Sequence, residues 1–373
     1  MTEKDLRLNP HLFSVPAYVP GKSIEEIQRE LGLAEIIKLG SNENPLGPSP
    51  NAVEAIRAAS SDLHQYPGVE LQDLRLALAR SIGPEFGIGN IIIGNGSANV
   101  ILSLAHAYLH DGGEVVISHP AFQMYALATT MYGGTPVFVD ADGYRCDLQA
   151  MAKAINERTR MVYITNPNNP TGLLITGEEI EAFMAQVPPW VVVVFDEAYA
   201  EFADTDVFPS VWHHILAGRN VIVTRTFSKI FGLAGLRVGY GVGREELIEH
   251  LVRTQPPFHT GRLTLAATLA ALADQEHVDR TYRLTVEGRE YYAQQFDDMG
   301  LHYLPSQANF IMLVDLPHDV EDINRAMLQR GIIIRPTAPF GLPQGLRITI
   351  GTPEQNRRVI AALREVLAEL DRQ

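Results

Sequence analysis

Apolar and polar positions alternate along the chain in a rhythm that predicts a layered α/β domain. Between residues 91 and 240, short apolar runs are separated by segments whose apolar residues recur with helical spacing. Runs that are apolar on both faces are typical of strands buried between two layers of helices, which favours a mostly parallel sheet. The predicted strands are 91–93, 115–117, 136–139, 161–164, 191–195, 221–223 and 238–240. The predicted helices between them are 99–109, 122–132, 148–155 and 177–185.

The pattern changes after about residue 262, where two long helical segments precede a mixture of strands and helices. This second pattern predicts a smaller α+β domain. No linker rich in proline, glycine or serine separates the two parts, so we place the boundary inside the predicted helix 278–299. We therefore expect an N-terminal segment, 1–44, that joins the small domain, a large domain at 45–285 and a small C-terminal domain at 286–373.

The composition narrows the functional class. The chain has 373 residues with 30 Lys and Arg against 44 Asp and Glu, which gives a formal net charge of −14. An acidic chain lacks the positive field that phosphate backbones require, so we expect no nucleic-acid partner. The longest strongly apolar run, 190–195, is too short to cross a bilayer, and the polar N-terminus has no apolar signal core. The single cysteine, Cys146, is typical of a reducing compartment, and we expect a cytoplasmic protein with no membrane partner.

No metal is expected from the histidine pattern. His106 and His110 lie one turn apart on a predicted helix, but the residue that follows the first is Ala107 rather than the glutamate of a zinc protease. Ordinary surface or core histidines are the favoured interpretation of this pair.

Candidate catalytic residues follow two predicted strands, at the edge where parallel sheets bind ligands. Asp196 follows the strand 191–195, and Tyr199 comes three residues later. Lys229 comes after the next strand, between hydroxyl residues and an apolar segment broken by glycines. Burial there lowers the pKa of the amine and favours a neutral nucleophile that can form a Schiff base. Arg237, eight residues further on, is suited to bind an anion with two nitrogens.

Two loops complete this constellation. Gly96 and Ser97 open a predicted helix, where glycine lets the backbone approach closely and free N–H groups suit a phosphate. The loop 166–172, Asn-Pro-Asn-Asn-Pro-Thr-Gly, is stiffened by two prolines and places the amide of Asn168 toward a ligand. Each feature alone also fits a helix cap, a solvated charge or a tight turn. Together they fit pyridoxal 5′-phosphate (PLP), whose aldehyde needs a lysine and whose pyridine nitrogen needs a carboxylate to stay protonated.

These residues resemble the fold-type I aminotransferases, and the resemblance covers essentially the whole chain. The matching motifs are Asn168-Asn169-Pro170-Thr171-Gly172, Asp196-Glu197-Ala198-Tyr199, and Ser228-Lys229 with Gly235-Leu236-Arg237. Further segments are most similar to histidinol-phosphate aminotransferases. They are Tyr18-Val19-Pro20-Gly21, Asn42-Glu43-Asn44-Pro45, Gln65-Tyr66-Pro67-Gly68, Ile334-Arg335-Pro336 and Leu346-Arg347-Ile348-Thr349-Ile350-Gly351. The resemblance implies an aspartate aminotransferase-like fold with a large PLP-binding domain and a smaller α+β domain.

The resemblance also implies a role for each matched residue. Lys229 is expected to be the Schiff-base lysine that moves a proton between the substrate Cα and C4′ of the cofactor, while Asp196 pairs with the pyridine nitrogen. Asn168 and Tyr199 are expected to hydrogen-bond the ring oxygen, and Phe122 to stack on the ring face. The residues expected at the cofactor phosphate are Ser97, Ala98, Thr226, Ser228 and Arg237, with Tyr66 supplied by the neighbouring subunit of a homodimer.

Substrate contacts are expected mainly from the small domain and the N-terminal segment. Arg347 matches the carboxylate-binding arginine of the family. In histidinol-phosphate aminotransferases such arginines, here Arg335 and Arg347, meet the substrate phosphate together with Tyr18, and we expect Asn44 to be a further substrate contact. The implied reaction is transamination of histidinol phosphate with 2-oxoglutarate, a step of histidine biosynthesis, by a ping-pong mechanism.

Two departures from the histidinol-phosphate pattern leave alternatives open. Residues 257–262 read Pro-Phe-His-Thr-Gly-Arg where those enzymes usually read Pro-Phe-Asn and small residues, and 98–100 lack the usual acidic pair. An aromatic amino-acid aminotransferase and a PLP-dependent decarboxylase of phosphorylated amino acids are the alternatives. A transcriptional effector sensor is disfavoured because the chain has no basic patch and no length for a DNA-binding module. A nicotinamide-dependent dehydrogenase is disfavoured because the fingerprint Gly94-Asn95-Gly96 has Asn99 at the third glycine position.

Overall fold

The computed structural model describes residues 10–11, 15, 24–33, 35–110 and 112–372. Within them the α-helices are α1 Ile24–Leu31, α2 Pro50–Ala59, α3 Glu70–Ile82, α4 Ser97–Tyr108, α5 Met124–Met131, α6 Leu148–Ala154, α7 Gly177–Met184, α8 Trp212–Leu216, α9 Glu245–Val252, α10 Arg262–Ala273, α11 Gln275–Asp298, α12 Val320–Gln329 and α13 Pro353–Leu370. The strands are β1 Ile37–Lys38, β2 Ile91–Gly94, β3 Glu114–His119, β4 Thr135–Asp140, β5 Thr159–Thr165, β6 Val192–Asp196, β7 Val221–Thr226, β8 Gly239–Gly243, β9 His302–Leu304, β10 Phe310–Val314, β11 Ile332–Ile333, β12 Arg335–Pro336 and β13 Leu346–Thr349. None of the helices in these residues combines the length and the apolar character that a membrane span needs.

A seven-stranded sheet forms the centre of the larger part of the molecule. Its strand order is β2-β8-β7-β6-β5-β3-β4, and every neighbouring pair is parallel except the two that involve β8. Each of the seven apolar runs found in the sequence corresponds to one of these strands, so the expectation of a mostly parallel sheet is confirmed. The carboxyl ends of β5, β6 and β7 lie side by side, because Thr165 pairs with Asp196 and Asp196 pairs with Thr224.

The central strands are apolar on both faces because helices cover both faces. Successive side chains of a strand point in opposite directions. In β6, Val193 and Phe195 belong to one hydrophobic cluster, whereas Val192 and Val194 belong to another. The first cluster includes side chains of α3, α7 and α10, and the second includes side chains of α4, α5 and α9. Full burial of such a side chain stabilises the fold by roughly 1.5–3 kcal/mol. The ends of the central strands are therefore held in place by a well-packed core.

A second, smaller sheet is built from the C-terminal part of the chain. It is antiparallel, with the order β12-β13-β10-β9, and its strands share a separate hydrophobic cluster with α11, α12 and α13. The N-terminal segment joins this cluster, because β1 pairs in parallel with β11 and buries Ile37 there. The expected α+β character of the smaller part is confirmed.

Helix α11 connects the two parts without a break. Val278 and Tyr282, near its start, pack against the cluster of the large sheet, whereas Tyr292 and Phe296, near its end, lie in the cluster of the small sheet. A helix that contributes to both clusters leaves no flexible linker between them. The domain limits after residues 44 and 285 stay a prediction.

Candidate active site

A cavity of about 640 Å³ opens at the carboxyl ends of the central strands. Residues from the large sheet, the small sheet and the segment around residue 41 line it. This edge is where open α/β sheets bind ligands. Eleven of the predicted site residues line the cavity, namely Ser97, Ala98, Phe122, Asp196, Tyr199, Thr226, Ser228, Lys229, Arg237, Arg335 and Arg347.

Asp196 is the last residue of β6 and is buried, with 3% of its surface exposed. Its Oδ2 accepts a hydrogen bond of 2.7 Å from the Tyr125 hydroxyl, and its Oδ1 accepts one of 3.2 Å from the backbone N–H of Ala198. Burial raises the pKa of Asp196, whereas these hydrogen bonds and the charge of Lys229 act to lower it. The carboxyl group lines the cavity, where it can receive a cationic N–H from a ligand.

Lys229 lies in the turn that follows β7, and its side chain lines the cavity. Its Nζ donates to the backbone oxygen of Ser41 at 3.1 Å and lies 5.7 Å from the centre of the Tyr199 ring. The pKa of Lys229 is lowered to about 7, mainly by burial and then by the positive charges of Arg347 and Arg237. Much of the amine is therefore neutral near pH 7, and the neutral form is the one that attacks a carbonyl carbon.

The N-terminus of α4 and Arg237 form an anion cradle beside the lysine. Since α4 begins at Ser97, its first N–H groups have no partner within the helix and carry the positive end of the helix dipole. Gly96 precedes the helix with a φ of +78°, and a Cβ at this position would lie 2.7 Å from Nη2 of Arg237. Nη1 of Arg237 donates to the backbone oxygen of Ala234 at 2.9 Å and to Ser228 Oγ at 3.4 Å. This arrangement suits a phosphate group.

The loop after β5 differs from the prediction at one residue. Asn168 does not line the cavity, because its amide donates to the backbone oxygen of Pro120 at 3.2 Å and to Thr171 Oγ1 at 3.1 Å. Both hydrogen bonds hold the loop in shape. The next residue, Asn169, lines the cavity and accepts a hydrogen bond from Nη1 of Arg347. Asn169 rather than Asn168 therefore faces the cavity, and a contact of Asn168 with the cofactor stays a prediction.

Two arginines form a cationic wall on the side of the small sheet. Arg335 and Arg347 are paired in the register of β12 and β13. Arg347 is 5% exposed, its Nη2 donates to the backbone oxygen of Gly40 at 2.9 Å, and its Nε has no hydrogen-bond partner in the part of the chain that the structure describes. Burial lowers the pKa of Arg347 to about 10, so the group is still a cation at neutral pH. Among the described residues no carboxylate bonds to either guanidinium, and a buried cation without an anion favours an anionic ligand.

Asn44, which the sequence predicts as a substrate contact, does not line the cavity. Its amide donates to the backbone oxygen of Ile230 at 2.7 Å and to Thr281 Oγ1 at 3.2 Å, which uses its donors inside the fold. The asparagine that lines the cavity is Asn42, whose Nδ2 donates to the Tyr199 hydroxyl at 3.0 Å. The motif Asn42-Glu43-Asn44-Pro45 pointed to the right segment, but only the folded backbone decides which asparagine faces the ligand.

Two predicted residues remain, Tyr66 and Tyr18. Tyr66 is 75% exposed, and its ring stacks on Phe258 with the two ring centres 4.5 Å apart. Tyr18 lies outside the described residues. Tyr66 is therefore accessible to a second chain, and the role of Tyr18 stays a prediction.

Tyr125 is the main residue that the sequence analysis missed. Besides its bond to Asp196, its hydroxyl lies 2.9 Å from Thr165 Oγ1, and its ring stacks on Tyr163 with centres 4.4 Å apart. It stands three residues after Phe122, about one helical turn, on a helix whose pattern was identified. The spacing from Phe122 was the only available signal, because the partner carboxylate lies 71 residues away in sequence.

The fold and the site together define a PLP-dependent aminotransferase with the aspartate aminotransferase-like fold. The model of the aminotransferase class I and II family matches residues 34–363, and the chain belongs to this family. It is 46% identical over 358 residues to the histidinol-phosphate aminotransferase of Moorella thermoacetica, covering 96% of this chain and 92% of that protein. It is 47% identical over 362 residues to the histidinol-phosphate aminotransferase of Akkermansia muciniphila, covering 96% of this chain and 98% of that protein. The crystal structure of the histidinol-phosphate aminotransferase from Sinorhizobium meliloti in complex with pyridoxal 5′-phosphate matches with a TM-score of 0.88 and 32% identity over 98% of each chain.

The residues of the cavity fit PLP, the cofactor of the enzyme. The cofactor carries an aldehyde, a pyridine nitrogen and a phosphate. The cavity offers the amine of Lys229, the carboxyl group of Asp196 and the cradle at Ser97 and Arg237. Each chemical group of the cofactor thus has one matching group in the chain.

Proposed function

We propose that the enzyme transfers an amino group from histidinol phosphate to 2-oxoglutarate, as a step of histidine biosynthesis. Two relatives that are 46% and 47% identical to it are named histidinol-phosphate aminotransferases, which supports this proposal. The observation that carries this proposal is the cationic wall of Arg335 and Arg347 beside the Lys229 and Asp196 pair. Histidinol phosphate brings a phosphate and 2-oxoglutarate brings two carboxylates, so both substrates present an anion to this wall.

In this proposal, different residues bind the different chemical groups of the cofactor. Asp196 binds the pyridine nitrogen, and Asn169 and Tyr199 bind the ring oxygen. Phe122 covers one face of the ring, where its apolar area limits tilting. The cradle takes the phosphate through Ser97, Ala98, Thr226, Ser228 and Arg237. Bound there, the cofactor serves as an electron sink for carbon chemistry at the substrate Cα.

Lys229 performs two tasks in this arrangement. It would hold the cofactor covalently between turnovers, and during turnover its Nζ would move the proton at the substrate Cα. A pKa of about 7 suits both tasks, because the amine gains and loses a proton readily near neutral pH. The neighbouring cations Arg347 and Arg237 help to keep it there.

The cavity has room beyond the cofactor for a substrate with a long side chain. Its lining includes Ile27, Leu328 and Ile333, which belong to α1, α12 and β11, as well as Lys229 and Arg335. In this proposal Arg347, the more buried arginine, takes the carboxylate of 2-oxoglutarate. Arg335, two residues after Ile333, takes the phosphate of histidinol phosphate.

The active unit in this proposal is a homodimer in the cytoplasm. Tyr66 and Phe258 form a stacked, exposed aromatic pair, and the nearby Leu63 and Val69 are 59% and 71% exposed. Exposed apolar groups of this kind mark interaction surfaces. A second copy of the chain covers the patch, and Tyr66 reaches the cofactor phosphate of the partner's site. The single cysteine, Cys146, is free, in keeping with a reducing compartment.

A substrate panel tests the proposal. The PLP-loaded enzyme is assayed with histidinol phosphate, phenylalanine and tyrosine as amino donors and with 2-oxoglutarate as acceptor. We expect the highest kcat/KM for histidinol phosphate. The aromatic rings of Phe122 and Phe340 at the cavity wall favour an aromatic amino-acid aminotransferase as the second candidate, and preference for phenylalanine or tyrosine would select it.

Variants of Arg335 make the substrate panel a more specific test of the phosphate contact. In Arg335→Gln we expect kcat/KM for histidinol phosphate to fall roughly 10- to 100-fold, since a charge-assisted contact contributes about 1.5–3 kcal/mol. Arg335→Lys keeps the charge and serves as the matched control with a smaller loss. The residual rate with phenylalanine should not change in either variant. Equal losses for all donors would remove Arg335 from the phosphate site.

A further inference from the structure

A cluster of two histidines and a glutamate lies outside the cavity, where α7 meets α8. Nε2 of His213, Nε2 of His214 and a carboxylate oxygen of Glu181 all lie within 4.8 Å of one another. Oε1 of Glu181 is 3.0 Å from each of the two nitrogens. In the part of the chain that the structure describes, no other three such side chains come as close. The cluster takes no part in the proposed transamination.

His214 carries the second observation. It is 6% exposed, and its Nε2 lies 3.0 Å from Oε1 of Glu181 but forms no well-aligned hydrogen bond with any described residue. A buried nitrogen without a well-formed hydrogen bond calls for an explanation, and a bound ion is one. An imidazole nitrogen that carries no proton offers its lone pair to a metal ion.

We propose that Glu181, His213 and His214 bind one Zn²⁺ ion or a chemically similar divalent transition-metal ion. Imidazole nitrogens and a carboxylate oxygen are ligands that zinc prefers, and a water would complete a four-coordinate shell. Zinc bonds of about 2.0–2.1 Å in a tetrahedral arrangement place the ligand atoms about 3.3 Å apart. The two contacts of Glu181, at 3.0 Å, are close to this spacing, and the ligand atoms of the two histidines lie within 4.8 Å of each other, so side-chain rotation has to bring the three atoms around one ion. This proposal departs from the expectation that the chain holds no metal.

The surrounding charges are compatible with a cation at this position. Glu181 supplies a negative charge, and His213 donates to it at 3.0 Å. Arg219, an arginine whose charge acts on His214, has its guanidinium bonded elsewhere, because its Nη2 donates to the backbone oxygens of Met184 at 2.7 Å and Val187 at 3.3 Å. Its guanidinium is thus engaged at the C-terminal end of α7 and does not take the place of the metal.

Bound at this site, the metal joins two helices that lie next to the central strands. Helix α7 precedes β6, which ends in Asp196, and α8 precedes β7, which leads to Lys229. The metal would stabilise the face of the sheet behind the active site without touching the reacting groups. Its expected effect is on stability rather than on the rate of amino transfer.

Zinc binding to the PLP-loaded enzyme tests the proposal. Metal-free enzyme is titrated with Zn²⁺ against a chromophoric chelator after free cofactor has been removed by gel filtration. We expect one Zn²⁺ per chain, with a melting temperature raised by about 2–4 °C when Zn²⁺ is in large excess over Kd. His213→Ala and Glu181→Gln should weaken binding by more than about tenfold, since loss of even an outer-shell partner costs that much. Both residues are more than half exposed, at 56% and 55%, so these variants should fold.

His318→Ala is the matched control. His318 also pairs with a carboxylate, Asp371, at 2.8 Å, but among the described residues no third ligand atom joins this pair. The control should bind Zn²⁺ like the native enzyme. A native enzyme that fails to compete with the chelator, or equal binding by the native enzyme, His213→Ala and Glu181→Gln, would overturn the proposal.

Discussion

Asp196 shows how a single carboxyl group is kept ionisable inside a protein core. Burial opposes its charge, and the hydrogen bond from Tyr125 favours it. The Tyr125 hydroxyl is also within 2.9 Å of Thr165 Oγ1, so its position is fixed from two sides. Tyr163 stacks on the same ring, but its own hydroxyl is buried without a hydrogen bond. Tyr125 therefore donates a hydrogen bond to the carboxyl group of Asp196, and the neighbouring Tyr163 does not.

We expect Tyr125→Phe to impair catalysis through Asp196. Loss of the donor raises the pKa of Asp196, so the acid limb of the kcat/KM profile should move to higher pH. The measurement is the pH dependence of transamination with the PLP-loaded variant. Tyr163→Phe is the control, because its hydroxyl bonds to nothing, and its profile should match that of the native enzyme. An unshifted profile in Tyr125→Phe would show that the hydrogen bond does not tune the carboxylate.

The lowered pKa of Lys229 predicts how the cofactor-free enzyme takes up PLP. Attachment requires the neutral amine, so its rate should rise with pH, with a midpoint near 7, and level off above it. Stopped-flow absorbance of the lysine-bound cofactor measures this rate. In Arg347→Gln the midpoint should move to higher pH, because a positive charge that disfavours the ammonium is gone. A midpoint near the ordinary lysine value of 10.5 would contradict the buried setting of Lys229.

At the scale of elements, the anion cradle depends on how closely β8 approaches α4. Gly239 opens β8, and a Cβ on it would lie 2.3 Å from the backbone nitrogen of Ser97 and 2.7 Å from the carbonyl carbon of Gly96. These are backbone atoms, so a larger residue must push the start of α4 away from Arg237. Strand and helix are thus in contact at the point where the phosphate is proposed to bind.

Gly239→Ala should therefore weaken PLP binding, by up to about 100-fold if the helix moves by about 1 Å. Equilibrium dialysis of the cofactor measures the loss, and thermal unfolding separates it from general destabilisation. Gly235→Ala is the control in the same region, because a Cβ there meets nothing within 4 Å. Similar PLP affinity in both variants would show that the close approach is not needed.

The sequence predicts the central strands but not helices α2 and α3, for a physical reason. The buried strands have apolar side chains on both faces, a pattern that stands out without knowledge of neighbours. The apolar pattern does not predict α2 and α3, because much of the surface of these helices is polar. Each helix buries only a few side chains, such as Leu74 and Leu78 in α3. The start of α2 carried a local signal, since Ser49 caps it and Pro50 follows.

At the scale of the whole molecule, the proposed site is shared between two chains. A mixed dimer of Tyr66→Ala and Lys229→Ala tests this arrangement. If Tyr66 acts across the interface, one of the two sites contains both native residues, so the mixed dimer should show about half the native activity. Differently tagged chains are co-expressed and the mixed dimer is purified for assay.

The parent homodimers are the controls for this experiment. Lys229→Ala should be inactive, and Tyr66→Ala should bind PLP weakly. A mixed dimer no more active than the average of its parents would place Tyr66 with the site of its own chain or with none. The exposed stacking of Tyr66 on Phe258 would then have a different role.

The strands of the large sheet and the reactive residues at their ends can be predicted from the sequence alone. Asp196 and Lys229 were found because a residue that follows a buried strand lies at the carboxyl edge whatever the rest of the chain does. The anion-binding start of α4 follows equally from local rules of helix ends. These features depend on a few neighbouring residues, so they can be recognised without the fold.

Only the tertiary structure decided which polar side chains face the cavity. Asn169 rather than Asn168, and Asn42 rather than Asn44, were selected by backbone turns and by partners such as Pro120 and Ile230 that are distant in sequence. Tyr125 became significant only when β6 brought Asp196 beside it. Adjacent residues of one type are equivalent in a pattern, but their side chains point in different directions once the backbone is fixed, and that direction decides their chemistry.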